Sequence, residues 1–238
     1  MSRNIFIICM AVTALISDPV SAQDYSKSLF DGHSDVGACK LKGDLIYNPA
    51  EQEYIISGSG DNIWFNNDQF HFAWKKLKGD FILSARVQFI GEGSHLHRKA
   101  GWMLRQSLDP GSEHISATVH GDGLTSLQYR LSAGDEMSER KSQVVSPDII
   151  QLERKGNRFI LSCAVMGEPF DTVMIADAAM NGEVYAGLFI CSHDNNVIEK
   201  AKFSNVRVTM PAKDDFVPYR DFIAVSYTHL TLPTNREV

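Results

Sequence analysis

No close pair of cysteines occurs anywhere in the chain, which removes the common structural zinc sites. No Lys/Arg cluster stands out from a balance of 23 basic against 29 acidic residues. At a net charge of −6, the footprint needed to grip a nucleic-acid backbone is missing. After residue 22 no apolar run approaches the ~20 residues that cross a bilayer as a helix. Catalytic signatures are also scarce. No Glu-x-Asp-x-x-Glu run places carboxylates on one strand, and no Gly-x-Ser-x-Gly elbow presents a nucleophile. Gly91-Glu92-Gly93 precedes no helix and Gly58-Ser59-Gly60 leads into a strand, so neither reads as a phosphate loop. Helical periodicity is almost absent: Ala176, Ala178 and Ala179 offer at most one turn.

What is present begins with a targeting signal. Arg3 gives a positive start, residues 5–16 are apolar, and Val20-Ser21-Ala22 is a small-residue cleavage site. The apolar run is short for a membrane anchor, so an exported chain starting near Gln23, periplasmic or extracellular, is expected. Cys39, Cys163 and Cys191 then remain. An odd number admits one disulfide plus a buried thiol, or three thiols packed as small apolar groups, the favoured reading.

The body of the chain alternates with period two. Residues 23–44 read as a polar, turn-rich lead-in that covers a sheet edge or wraps the domain end. Residues 45–47 and 54–57 read as a hairpin around Asn48-Pro49, and a short strand is expected at 62–65. In Phe70-His71-Phe72-Ala73-Trp74-Lys75-Lys76 the aromatics share one face and His71 falls on the other. Residues 80–90 give the longest expected strand, with Phe81, Leu83, Ala85, Val87 and Phe89 on one face. A loop at 95–99 reads as basic and solvated. Residues 132–143 read as an exposed hairpin or loop. Further strands fall at 148–154, 158–166, 172–175, 183–191 and 201–210, with a tight turn at Lys155-Gly156-Asn157. Around a dozen short strands predict an all-β fold, an antiparallel two-sheet jelly-roll sandwich spanning 45–210. Residues 211–224 read as a linker. Residues 225–238, VSYTHLTLPTNREV, resemble translated adapter sequence and are expected to be non-native.

Four pieces of sequence carry a resemblance. They are Ile56-Ser57-Gly58-Ser59-Gly60 with Asn62-Ile63-Trp64; Phe70-His71-Phe72-Ala73-Trp74 with Gly79-Asp80-Phe81; Gly101-Trp102-Met103-Leu104-Arg105 with Val119-His120-Gly121-Asp122-Gly123; and Gly187-Leu188-Phe189-Ile190-Cys191-Ser192-His193. Together they resemble the concanavalin A-like domain of the regulation-of-enolase type that precedes exported TolB-like β-propellers. The resemblance spans roughly 31–220. It implies a sandwich, a propeller after Phe222 as partner, and no catalytic residues to carry over.

Candidate site residues concentrate at 99–130, read as three successive strands. Strand parity places Arg105, His120, Gln128 and Arg130 toward one sheet face. With the Trp102 indole and Asp122 on the following turn, these suit a saccharide: planar donors for hydroxyls and a flat ring for the pyranose face. His71 and His193 are further candidates. His193-Asp194-Asn195-Asn196 offers three oxygens to calcium, short of the six to eight it takes, so no cofactor is expected. His95 and His97 have chelate spacing without a third ligand. Glu153 stands alone on its strand and Asp122 has no evident partner carboxylate, so a glycoside hydrolase-like activity is the lesser reading. The leading reading is an exported, noncatalytic, lectin-like module that binds a glycan or supports a downstream propeller. A third is a purely structural interaction domain.

Overall fold

The structure, a computed structural model, describes residues 28–180 and 182–211. The expected signal peptide, the linker beyond residue 211 and the 225–238 tail lie outside the described residues. The described chain is all β. Its strands are β1 (Gly32–Val36), β2 (Asp44–Asn48), β3 (Glu53–Gly58), β4 (Phe70–Lys78) and β5 (Phe81–Ile90). Next come β6 (Lys99–Arg105), β7 (His114–His120), β8 (Thr125–Arg130), β9 (Ser138–Lys141) and β10 (Ile149–Lys155). The last are β11 (Arg158–Ala164), β12 (Asp171–Ile175), β13 (Glu183–Cys191) and β14 (Glu199–Thr209).

They form two antiparallel seven-stranded sheets, β1-β4-β13-β6-β7-β8-β9 and β12-β11-β10-β5-β14-β3-β2. Chain neighbours β4 and β5, β5 and β6, and β13 and β14 sit in opposite sheets. The apolar faces read from the sequence meet between them: Phe81, Leu83 and Ala85 of β5 pack with Trp102 and Leu104 of β6, Ile115 and Ala117 of β7, and Leu188 and Ile190 of β13. Each fully buried Phe or Leu side chain there contributes roughly 1.5–3 kcal/mol by leaving water.

Several local expectations change. Part of the polar lead-in is a strand, because β1 pairs with β4 at the sheet edge from Gly32↔Trp74 to Val36↔Phe70. The longest strand is β14, at 11 residues, not the 80–90 segment; a register shift between Ser204 and Arg207 lets it run on along β5. The 132–143 segment divides into a loop and the short edge strand β9, which pairs with β8. Residues 61–69 form a loop and not a strand. Its Ile63 is held by the outer face of the first sheet, packing with Phe70, Phe72, Met103 and Phe189 in a second core. The face of that sheet turned away from its partner is therefore partly roofed by a loop, and this roof builds the site.

Candidate functional site

The roof is held by a buried ionic cluster. Both oxygens of Asp68 engage Arg130 (Nη2–Oδ1 2.8 Å, Nη1–Oδ2 2.9 Å), and Arg105 Nη1 donates to Oδ2 at 2.7 Å. All three side chains are fully buried. Burial alone would raise the Asp68 carboxyl, but the hydrogen bonds and charges of His114, Arg130 and Arg105 outweigh it and hold it well below the usual carboxylate range. Burial pushes His114 down to about 4, so its ring is neutral at pH 7. His114 Nδ1 lies 3.4 Å from Asp68 Oδ2 and 3.1 Å from Arg105 Nη1, which draws the ring into the same cluster. The remaining guanidinium N–H groups tie down backbone. Arg105 donates to the Ser107 and Asp109 carbonyls, and Arg130 to those of Phe65, Ser112 and Asp135.

Beside this cluster the outer face opens into a groove of about 290 Å³. Strand register explains its floor: Lys99 lies opposite His120, Ser126 opposite Lys141, and Gln128 opposite Glu139. Lys99, His120, Gln128, Glu139 and Lys141 line it from the sheet. Asn62 and Trp64 come from the roof, Leu124 from the β7–β8 turn, and His97 and His193 from two rim loops. His120 Nδ1–H donates to the Leu124 carbonyl at 2.9 Å, since a carbonyl only accepts, and His120 Nε2 receives the Gln128 amide at 3.3 Å. Burial, reinforced by the charge of Lys99, pushes His120 down to about 4, so it too is neutral at pH 7. The Lys99 ammonium donates to Asn62 Oδ1 at 2.7 Å and lies 5.7 Å from the centre of the Trp64 ring. At the rim, His193 stacks on His95 at 4.2 Å between ring centres.

Of the candidates read from the sequence, the structure brings together His120, Gln128 and His193. Trp102 is elsewhere. It is fully buried between the sheets, 6.4 Å from the Phe30 ring, because the parity that points Arg105 outward points Trp102 inward. Arg105 and Arg130 do share the outer face, but their guanidinium groups are spent on Asp68 and loop carbonyls. Asp122 is exposed on the turn, where its carboxylate accepts from Leu124 N at 3.0 Å. The turn geometry expected there is present, with Gly123 at a φ of 87°. His71 faces the other side of the sheet, donating to Asp35 Oδ1 at 2.6 Å and meeting His33 at 3.0 Å.

The 95–99 loop is the main correction. Arg98 and Lys99 are 5% and 3% exposed, not solvated: Arg98 pairs with Glu199 at 2.6 Å and Lys99 opens β6 beneath the roof. In the 193–196 loop, Asn195 Oδ1 accepts from Lys40 N at 2.7 Å, and Asp194 Oδ1 from Asn196, so these oxygens are turned to the protein and not to a cation. Among the described residues no group of three or more His, Cys, Asp or Glu is arranged to hold a metal. Cys39, Cys163 and Cys191 are free thiols. Sequence reasoning missed Trp64, Asn62, Lys99, Glu139 and Lys141. The alternation of Lys99, Gly101, Met103 and Arg105 was the available signal for Lys99. Nothing local marks the others, since the roof's fold places them.

Fold and groove together define a jelly-roll sandwich of the concanavalin A-like class with a polar, indole-walled groove on one outer sheet face. No protein family matches the chain, and no curated protein does. Solved structures do. A functionally unknown protein from Saccharomyces cerevisiae aligns at a TM-score of 0.55 and 15% identity, over 76% of this chain and 98% of that one. The carbohydrate-binding module CBM66 from Bacillus subtilis gives 0.50 and 15%, over 76% and 98%. A legume lectin-like domain from Entamoeba histolytica gives 0.51 and 10%, over 76% and 90%. At these identities the likeness is one of fold.

Proposed function

We propose that this chain is a noncatalytic glycan-binding module and that the outer-face groove is its binding site. One observation carries the proposal: a part-exposed indole, Trp64, stands over a floor of preorganised polar groups, Lys99, His120 and Gln128. That is the pairing of flat apolar surface and fixed hydrogen-bonding groups that a sugar ring requires. The fold shared with a carbohydrate-binding module and a lectin-like domain supports it. Among the described residues Glu139 is the one carboxylate lining the groove, where general acid–base hydrolysis of a glycoside needs two. Export, the regulation-of-enolase subtype and a following propeller are further parts of the proposal that rest on sequence alone.

The structural reading retains one specific support. Val165, Met166, Phe170 and Met174 are between 41% and 52% exposed on the β11–β12 hairpin, an apolar group suited to a neighbouring domain. Affinity gels cast with a range of polysaccharides separate the readings. Retardation of the wild type, lost in Trp64→Ala, is the expected result. No retardation on any polysaccharide would overturn glycan binding.

A further inference from the structure

Lys99 sits where a lysine is seldom left. Its side chain is 3% exposed, and lysines this buried are normally paired with a carboxylate. Among the described residues its ammonium forms no ion pair: of its three N–H donors, one goes to Asn62 Oδ1. Burial pushes its pKa down, the signature of a cation poorly compensated by its surroundings.

Asp68 and Glu139 favour its charge from a distance, but neither pairs with it. Glu139 lies across the groove with Lys141 at 3.5 Å from its carboxylate. Asp122 is exposed on the β7–β8 turn, engaged with Leu124 N. Asp68 is shared between two guanidinium groups, so the cluster beside the groove carries one positive charge in excess. His120 is neutral and its two nitrogens are occupied.

We propose that the groove is specific for acidic saccharides, with Lys99 receiving an anionic oxygen group carried on the sugar ring while Trp64 covers the ring's face. The proposal rests on the glycan-binding reading of the same groove and narrows it. A neutral sugar would bury the ammonium further with only dipoles to compensate it. A carboxylate or sulfate completes its two open N–H positions with charge-assisted hydrogen bonds, roughly twice as strong as neutral ones.

The test uses the full chain and titration calorimetry with three probes of matched length: oligogalacturonate, the same oligosaccharide fully methyl-esterified, and a sulfated galactan oligosaccharide. The free acid is expected to bind at least about tenfold more tightly than its ester, with affinity falling as salt is raised. Lys99→Met should bring acid and ester to equal affinity, while Lys99→Arg keeps most of the difference. A preference for the sulfated probe over the ester upholds the proposal and identifies sulfate as the anion. Equal binding of acid and ester by the wild-type protein, with no preference for the sulfated probe, overturns acid specificity while leaving glycan binding standing, and this comparison needs no variant to fold. No binding of any probe, together with no retardation on neutral polysaccharide gels, overturns both.

Discussion

Asp68 and Arg130 meet as a two-pronged pair, with both carboxylate oxygens on the two terminal nitrogens of one guanidinium at 2.8 and 2.9 Å, and neither side chain touches solvent. Asp68 belongs to the roof and Arg130 to the end of β8, so the pair fixes the groove's wall to its floor. Arg105 adds a second clamp from β6 at 2.7 Å.

Removing the shared anion leaves two guanidinium groups buried without a counter-charge. Asp68→Ala is therefore expected to lower unfolding free energy by about 3–5 kcal/mol, measured by urea denaturation. A loss below about 1 kcal/mol, the level of a surface ion pair, would contradict this account.

Acid should weaken the fold in two stages. His114 and His120 have native pKa values pushed down to about 4, against roughly 6.5 when unfolded. Below pH 6.5 the unfolded chain takes up protons that the native chain refuses. Stability is thus fully present above that pH and falls by about 1.4 kcal/mol per pH unit for each ring down to pH 4. Asp68 acts lower: its depressed carboxyl contributes stability above the unfolded value near 4, lost as pH falls toward the native one. Urea midpoints at pH 7, 5.5 and 4.5 should shift steadily downward, and His120→Gln should flatten the slope by about one proton. An unchanged slope would mean that His120 is not held neutral.

Trp102 and Trp64 should behave oppositely. Trp102→Ala opens a cavity between the sheets and should cost about 3–5 kcal/mol in stability. Trp64→Ala should leave thermal unfolding nearly unchanged and remove saccharide retention. A stable Trp102→Ala protein without binding would reverse the assignment.

Thiol reactivity gives an independent check of packing. Burial raises Cys39 to about 11 and Cys191 to about 12, so little nucleophilic thiolate exists at pH 8. Iodoacetamide followed by peptide mapping should leave Cys39 and Cys191 almost unlabelled in the native protein and label both fully in urea. Rapid native labelling of Cys191 would show that the roof opens.

The sequence alone determined the strands and the class of fold. Period-two alternation is a local property: β5, β10, β11 and β13 fall within a residue or two of where apolar faces placed them, and 99–130 divides into three successive strands, as read. It also assigned Arg105, His120, Gln128 and Arg130 correctly to one face, since parity along a strand fixes the side. Parity says nothing about what covers that face. Whether an arginine there meets solvent, a ligand or a buried aspartate depends on a loop some 35 to 60 residues away in sequence, and only the tertiary structure brings Asp68 onto Arg105 and Arg130. The same closure buries Lys99, which the sequence shows only as the end of a basic stretch, and puts Trp64 in the position first given to Trp102. Local pattern chose the face; long-range packing and the electrostatics of one buried carboxylate decided which part of it stays open.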